Sequence, residues 1–420
     1  MRQKIWIILG IGILFRLLAS PFTYHSDIQT YDLATFVLQK GYILSFYDFF
    51  PNLPSILGCE QVLKTFPNFN FNYPPAVYFF LGGISLIFSF LVGNNFIANF
   101  LFNTKAVLGA PILFFHLLTL KLPLLAFDIA SAVLLTKLFS SPRQKLMILG
   151  MWMFNPIAIF ASFFEGQFDI IPTFFTILSL FLLKASSEKV SEKKLLLSSL
   201  SLGIGATFKI YPLFLVIPLM SLTENWQERI KILIVSILPY LILILPFLPS
   251  HGFRSSALLA GQTLKSFYAQ IPISGGESII LFLATLIFFY LLFFRNKISA
   301  ENLWQRYLIT LLIFFIFTHY HPQWLLWLTP FLIIEAALTN LKNFLAKSLI
   351  YISWFCLLFF FDPGLTLGLF SPIFPSLYNS ISIWQILGVT PDYNFMRSIF
   401  QTIFVGSAVY YIYIYFRENR

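Results

Sequence analysis

Long apolar stretches recur along this chain and constrain its fold more than any other feature. Continuous apolar runs such as 281–294 and 349–361 are separated by short polar segments. Charged residues make up 10% of the chain, whereas a soluble domain contains about 25%. A helix of about 20 apolar residues spans a bilayer, and a barrel strand would instead alternate in polarity. The chain is therefore predicted to be an all-α, polytopic membrane protein.

The hydropathy pattern predicts about 12 to 14 spans in a single integral membrane domain, residues 1–420. The candidate spans are 4–20, 75–92, 97–118, 120–139, 146–163, 168–184, 195–208, 211–222, 230–248, 277–295, 304–318, 323–339, 347–362 and 396–415. The first is predicted to be uncleaved, because Arg16 interrupts its apolar run and no clear cleavage site follows. The short pair 195–208 and 211–222 either crosses twice or forms one helix kinked at Pro212.

Basic residues are distributed unevenly among the connecting loops. After residue 222, one set of loops holds Arg229, Lys231, Arg295, Lys297, Arg306, Lys342, Lys347, Arg417 and Arg420, and the opposite set holds Arg254, Lys265 and Arg397. Because basic loops stay in the cytoplasm, both termini are predicted to be cytoplasmic. The long loops 21–74, 249–276 and 363–395 are then extracytoplasmic. Orientation also explains the net charge of +10, so no nucleic-acid partner is predicted.

Two carboxylates follow the first predicted span. Asp27 lies where the chain leaves the bilayer, and Asp32 comes one short segment later. A carboxylate that is partly desolvated near the interface can act as a general base. The alternative for either residue is a helix N-cap or a solvated loop position. The segment 71–75 leads into the next span, whose first turn accommodates Pro74 and Pro75.

Other polar residues lie at the ends of later spans on the same predicted side. Glu165, Gln167 and Asp169 surround Gly166 in a turn that either faces a hydroxyl-rich ligand or is only a hydrophilic hairpin. Lys209 either neutralises a phosphate or extends its ammonium group to the interface.

Asp128 falls inside an apolar run, where a charge requires a partner. Lys121, predicted to begin a separate span with Pro123, and Lys209 are the candidate partners. A structural ion pair and a substrate-binding role remain open for Asp128.

A cluster at 319–323 contains two of the five histidines. His319, His321 and Gln323 are candidates for hydrogen bonds to phosphate or sugar, and the alternative is an ordinary interfacial helix start. A metal site would need further ligands, and no metal motif is present. No metal and no cofactor are predicted.

This set of motifs resembles the GT-C superfamily of membrane glycosyltransferases, especially its mannosyltransferase and glucosyltransferase members. The resemblance rests on Asp27 in the first extracytoplasmic loop, the Tyr-Pro-Pro segment 73–75, the Asn-Pro to Gly-Gln-x-Asp stretch 155–169, the Lys-x-x-Pro element 209–212 and the His-x-His segment 319–321. Pro322 and Gln323 stand where the family's His-x-His-Glu-Lys segment has Glu and Lys. The likeness extends from residue 1 to about 340.

The resemblance implies inverting transfer of a hexose from a polyprenyl-phosphate donor to a glycan or lipid acceptor at the extracytoplasmic face. Asp27 would be the base, with Asp32 as its substitute, and Lys209, His319 or Arg254 would offset charge on the departing phosphate. Glu165, Gln167, Asp169 and Gln323 would hold sugar hydroxyls.

Three other functions use the same residues differently. A transporter or flippase of a lipid-linked saccharide would bind without reaction, although its polar groups would be expected near mid-membrane. A polysaccharide ligase or polymerase would share the lipid donor but place its main loop late in the chain. A structural membrane subunit would not require this order of motifs.

Overall fold

The computed structural model describes residues 2–52, 60–66, 69–184, 190–258 and 263–418. Helices make up most of this structure, and several of them are long and apolar, which confirms the predicted all-α polytopic class. Parts of the predicted loops 21–74 and 249–276, and Arg420 of the basic set, lie outside the described residues.

The described part of the first half of the chain is mostly helical. Its helices are α1 (Arg2–Phe22), α2 (Gln29–Gln39), α3 (Phe46–Phe49), α4 (Glu60–Thr65), α5 (Pro75–Val92), α6 (Asn94–Phe102), α7 (Pro111–Lys137), α8 (Pro142–Met153), α9 (Pro156–Ile159), α10 (Ile170–Leu183) and α11 (Glu192–Ala206). Proline occupies the first turn of α5, α7, α8 and α9, where no amide donor is needed.

The second half adds α12 (Val216–Met220), α13 (Trp226–Ile244), α14 (Leu281–Arg295), α15 (Leu303–Phe317), α16 (Thr329–Thr339), α17 (Phe344–Leu358), α18 (Ile383–Ile386) and α19 (Tyr393–Glu418). A small antiparallel hairpin, β1 (Gln270–Pro272) and β2 (Ser278–Ile280), pairs Gln270 with Ile280. Several 3₁₀ turns connect these helices, including Ser26–Ile28, Tyr211–Leu215 and Pro322–Trp327.

Within the described residues, five helices are long and apolar enough to cross a bilayer: Gln3–Phe22, Pro75–Val92, Pro111–Lys137, Trp226–Phe247 and Tyr393–Phe416. A sixth crossing results if the bent pair Pro142–Met153 and Pro156–Phe164 counts as one span. Shorter apolar helices of 10–17 residues coincide with several other predicted spans. The segment 21–74, predicted as a loop, contains α2, α3 and α4.

The prediction of two spans at 97–118 and 120–139 is wrong. Asn103, Gly109 with φ +79° and Pro111 separate the short helix α6 from α7, and α7 then continues without interruption to Lys137. Pro123 lies inside α7 and does not begin a helix. An interior proline removes one backbone hydrogen bond and bends a helix, but the surrounding helices hold α7 together.

The region 195–222 consists of two pieces and not one kinked helix. α11 ends at Ala206, and the chain resumes helical geometry only at Tyr211. A Cβ atom on Gly205 would lie 3.3 Å from the Pro212 ring, so the glycine allows the two pieces to approach closely.

The helix α15 occupies the centre of the bundle. Every side chain from Leu303 to Phe315 is buried, as expected for a helix that is apolar on all sides. Its C-terminal end therefore delivers the 318–323 segment into the interior, next to α17 and α19.

Candidate functional site

A cavity of about 320 Å³ opens where α1 and α15 end. Carboxyl, amide and imidazole groups line it together with aromatic rings, and they come from Asp27, Asn70, Asn72, Tyr73, Gln167, Phe168, His321, Gln323, Trp324, Phe361 and Asp362, among others. A few convergent polar groups in a mostly apolar cavity are typical of a small-molecule site. The structure thus brings together segments that are far apart in the sequence.

Asp27 presents its carboxylate to this cavity. Its side chain is 49% exposed, and its Oδ2 atom accepts a 2.5 Å hydrogen bond from the Gln167 amide. His25 lies beside it, with Nδ1 3.7 Å from the same oxygen, and accepts the Asp27 backbone N–H at 3.3 Å. The carboxylate is fixed in orientation and remains accessible, as a general base requires.

Gly166 shapes the turn that carries Gln167. Its φ of +80° is unfavourable for other residues, and a Cβ atom here would lie 2.9 Å from Ile28. Tyr31 donates a 3.0 Å hydrogen bond to the Gly166 carbonyl. The turn follows a π-helical stretch, Phe160–Phe164, of a type often found at functional sites.

Lys121 joins the two segments that carry Asp27 and Glu165. It is fully buried in α7, and its ammonium group donates to the carbonyls of Ser20, Thr23, Phe163 and Phe164 at 2.7–3.1 Å. These carbonyls lie immediately before the two polar segments. Lys121 is therefore a positioning residue, and neither a span start nor the partner of Asp128.

Asp169 and Lys209 form a buried ion pair of 2.6 Å. The antiparallel helices α10 and α11 bring them together, because Asp169 precedes the first and Lys209 follows the second. Trp327 donates its indole N–H to the same Asp169 oxygen at 2.7 Å. The first turn of α10 also favours a negative charge at this position.

Aromatic rings surround the Lys209 ammonium group. The ring centroids of Tyr73, Phe168, Trp324 and Trp327 lie 5.2–5.6 Å from Nζ. Such cation–π contacts contribute about 2 kcal/mol when they are desolvated. Because Lys209 is paired and enclosed, and Tyr73, Phe168 and Trp324 separate it from the cavity, it supports the cavity wall.

Glu165 is buried beside this network. Within the described chain, neither of its carboxylate oxygens has a hydrogen-bond partner. Burial, and after it the charges of Asp27 and Asp169, raise the pKa of Glu165 well above its usual range, while Lys209 and Lys121 partly oppose this shift. A raised pKa favours the protonated form of the Glu165 carboxyl group.

His321 and Gln323 line the cavity opposite Asp27. Burial, followed by the nearby charge of Lys265, lowers the pKa of His321 to about 4. The imidazole is therefore neutral at physiological pH and exchanges hydrogen bonds rather than supplying a charge. Gln323 is buried, and its Oε1 atom lacks a hydrogen-bond partner among the described residues.

His319 faces a neighbouring cavity. It lines a second space with Arg397 and stacks on Phe361 at 5.7 Å, and Phe361 also borders the first cavity. Burial, together with Lys265 and Arg397, lowers the pKa of His319. The two imidazole rings lie 6.1 Å apart and both contact Phe361, but His321 lines the first cavity and His319 lines the second.

Seven predicted site residues lie outside the lining of the Asp27 cavity: Glu165, Asp169, Lys209 and His319, described above, and Asp32, Asp128 and Arg254. Asp32 is buried in α2, where it accepts from Ser85 at 2.5 Å and contacts His116 at 2.8 Å. Asp128 is buried against Arg16, whose Nε lies 2.6 Å from its Oδ2, so Arg16 is the partner that the sequence assigned to Lys121 or Lys209. Arg254 donates to the carbonyls of Leu248 and Pro249 and is exposed.

Sequence reasoning missed several lining residues. His25 also lines the cavity. It directly precedes Ser26 and Asp27, so its position in the sequence could have identified it. Phe361 and Asp362 lie at the start of the proline-rich segment 363–395, which packs over the 24–25 segment through a 2.8 Å backbone hydrogen bond from Tyr24 to Leu369. No local pattern marks these residues. Among the described residues, no group of three or more His, Cys, Asp or Glu residues could hold a metal ion.

Comparison with known proteins gives a partial similarity. No protein-family model matches the chain. A stretch of 112 residues is 35% identical to "GPI transamidase component GAB1" of Saccharomyces cerevisiae, and it covers 26% of this chain and 26% of that protein. The chain thus matches about a quarter of the length of this curated relative, a similarity that does not assign a family.

Proposed function

We propose that the chain is an inverting glycosyltransferase, which moves mannose or glucose from a polyprenyl-phosphate donor to a lipid-linked or glycan acceptor at the extracytoplasmic face. The observation that carries this proposal is the half-exposed Asp27 carboxylate, held by Gln167 in a cavity of amides and aromatic rings. Amides bind sugar hydroxyls, and aromatic rings cover apolar faces of a ligand.

Asp27 would take one proton in this reaction. The acceptor hydroxyl oxygen forms a bond to the anomeric carbon and loses its proton to Asp27, while the bond from that carbon to the phosphate oxygen breaks. The electron pair of the broken bond leaves with the prenyl phosphate. Gln167 orients the carboxylate, and Gln323 and His321 are placed to bond sugar hydroxyls as neutral partners.

The buried contacts that hold the segments around Asp27 in place favour a catalytic function. Lys121, Gly166 and the Asp169–Lys209 pair fix the backbone on both sides of the cavity through buried contacts. A base must be held within a fraction of an ångström of its working geometry, which such supports achieve.

Replacing Asp27 tests the proposal directly. Asp27→Asn keeps an oxygen for the Gln167 amide but removes the base, so we expect sugar transfer to fall by about 10²–10⁴-fold while donor binding persists. The measurement offers purified protein a radiolabelled polyprenyl-phosphate hexose and candidate glycolipid acceptors. Asp392→Asn is the matched control, because Asn caps α19 about as well as Asp does. Full activity of Asp27→Asn would refute this role for Asp27.

The partial similarity favours a second candidate function. The relative is named as a component of GPI transamidase, and by analogy the chain would be a non-catalytic component of a membrane assembly whose cavity holds a lipid-linked glycan. This candidate predicts glycan binding by purified protein, no product with any hexose donor, and co-purification with other subunits. A transporter or flippase of the same ligand would move it between leaflets of a vesicle, again without a product.

A further inference from the structure

The helix α14 is shorter than the membrane is thick. Hydropathy predicts a span over 277–295, but the helix itself covers only the 15 residues from Leu281 to Arg295. Such a helix rises by about 22 Å, whereas the hydrocarbon core is about 30 Å thick. Polar residues, Asn296 and Lys297, follow its C-terminal end. The residues that extend its apolar length are therefore expected before Leu281, where β2 leads directly into the helix.

One side of α14 faces away from the other helices. The helix packs on α12 and α15, and its buried side chains include Phe282 and Leu286. Leu283, Ile287 and Leu291 are exposed, and their spacing of four residues places them on one side of the helix. In a chain that spans a membrane, an exposed apolar stripe of this kind contacts the lipid chains.

The β1–β2 hairpin adds exposed apolar side chains at the N-terminal end of α14. Ile271 and Ile279 are paired in register, so both side chains point to the same face of the hairpin. Both are exposed, and so is Ile273, one residue beyond β1. Tyr268, which precedes β1, is also exposed, and tyrosine is enriched where a bilayer meets water. The exposed apolar surface of α14 thus extends into the hairpin.

The tip of the hairpin is polar. Ser274, Gly275, Gly276 and Glu277 form its turn, and all four residues are exposed. The two glycines adopt φ values of +62° and +90°, and the Glu277 amide donates to the Ser274 carbonyl at 3.0 Å. The hairpin is therefore apolar near α14 and polar at its opposite end. This gradient matches the passage from lipid chains to head groups and water.

The backbone edges of the hairpin fit a bilayer interface better than the bilayer core or a neighbouring strand. In the described part of the chain this sheet has two strands, so its outer edges have no strand beside them. Unpaired backbone groups are costly in hydrocarbon, but water and lipid head groups can bond them. The Ile273 amide bonds across to the other strand, so the adjacent Pro272 faces the outer edge. Proline supplies no amide donor there, which disfavours the addition of another strand.

We propose that the hairpin inserts into the bilayer interface, with Ile271 and Ile279 at the level of the lipid chains and Glu277 at the level of the head groups. A lipid surface is the partner that fits the short α14, the apolar base of the hairpin and its polar tip together. The inference requires only that the chain spans a membrane. It depends neither on sugar transfer nor on which side of the membrane the hairpin occupies.

Spin labels measure the depth of the hairpin. In a background with Cys59→Ser and Cys356→Ala, Ile271→Cys and Ile279→Cys each carry a nitroxide, and the labelled proteins are reconstituted into phosphatidylcholine bilayers. Collision with oxygen, which dissolves in lipid chains, is compared with collision with a water-soluble nickel chelate. Both labels are expected to show a severalfold higher ratio of oxygen to nickel collisions than a label at the exposed Glu301→Cys. Because both hairpin positions are exposed, either label serves if the other variant does not fold.

Two further labels calibrate the result. Ile287→Cys on the exposed side of α14 is the lipid reference, and Glu277→Cys at the tip should show a lower ratio of oxygen to nickel collisions than Ile279→Cys. A hairpin ratio equal to that of Glu301→Cys would place the isoleucines in water and overturn the inference. Weak collision with both reagents would mean that protein, either a second copy or another chain, covers the hairpin, and would equally contradict insertion into lipid.

Discussion

Individual side chains around the first cavity differ in charge according to their burial. Asp27 is half exposed and held by an amide, whereas Glu165 is enclosed without hydrogen-bond partners and has a raised pKa. Two carboxyl groups in different surroundings can therefore hold different protonation states at one pH. The proposed role of Asp27 as a base depends on its accessibility, which the buried Glu165 lacks.

Glu165 makes stability depend on pH with a definite sign. Its pKa in the folded protein lies above the unfolded value of 4.5, so stability present below pH 4.5 is lost as pH rises through the raised pKa. Glu165→Gln does not titrate. We expect the stability of the variant relative to the natural protein to rise progressively as pH increases above 4.5.

Thermal unfolding in detergent at several pH values measures this effect. Glu301→Gln, a change at an exposed position, is the matched control and should track the natural protein. A constant difference between Glu165→Gln and the natural protein over the whole pH range would show that Glu165 does not titrate as inferred.

Among the helices, one buried joint holds α1, α7 and α8 together. Arg16 in α1 pairs with Asp128 in α7 and donates to the Met153 carbonyl at the end of α8 at 2.6 Å. Trp152 donates its indole N–H to Asp128 at 3.1 Å. Both charged side chains are fully buried. The joint fixes the end of α1, from which Asp27 follows.

Removing one charge of the Arg16–Asp128 pair should destabilise the protein more than removing both charges. Asp128→Asn leaves a buried guanidinium without its counter-charge, and we expect a loss of about 3–5 kcal/mol. The double variant Arg16→Met with Asp128→Leu removes the unpaired charge and should recover much of this loss. Apparent melting temperatures of Arg16→Met, Asp128→Leu and the double variant give the coupling. The exposed pair Lys297–Glu224 is the control, and its disruption should change little.

Additive losses at Arg16 and Asp128 would indicate that the two residues act independently. If the double variant is less stable than both single variants, the Arg16–Asp128 pair contributes stability through its hydrogen-bond network. Apolar side chains at these positions would then not replace that network.

The Asp27 segment and a cluster of lysines lie at opposite ends of the part of α7 between Lys121 and Lys137. α7 runs from Lys121, beside the Asp27 segment, to Lys137, about 24 Å further along its axis. At that far end, Lys184 bonds the Lys137 carbonyl and Lys194 bonds the Lys184 carbonyl. In the predicted orientation, this basic end is cytoplasmic and the cavities face the extracytoplasmic side.

Cysteine labelling tests this orientation. In a background with Cys59→Ser and Cys356→Ala, an impermeant maleimide should label Ser26→Cys in intact cells that express the chain. Lys4→Cys and Lys342→Cys should react only after permeabilisation. All three positions are exposed. Labelling of Lys4→Cys, but not Ser26→Cys, in intact cells would reverse the orientation and contradict an extracytoplasmic site.

Hydropathy alone determined that this chain is a helical membrane protein, because burial in lipid leaves a local signature in every apolar segment. It also located the polar segments that meet at the cavity, because each polar segment at the end of an apolar helix can be recognised from its local sequence. It could not separate α6 from α7 correctly, because both segments are equally apolar.

Only the tertiary structure decided which side chains meet. It assigned Arg16 to Asp128, enclosed Lys209 with Asp169, turned Asp32 toward His116 and placed His319 beside Arg397 in a second cavity. Each of these pairings depends on how helices rotate and pack against partners that are distant in sequence. Rotation and packing are set by the summed contacts of many side chains, so no single segment of the sequence records them.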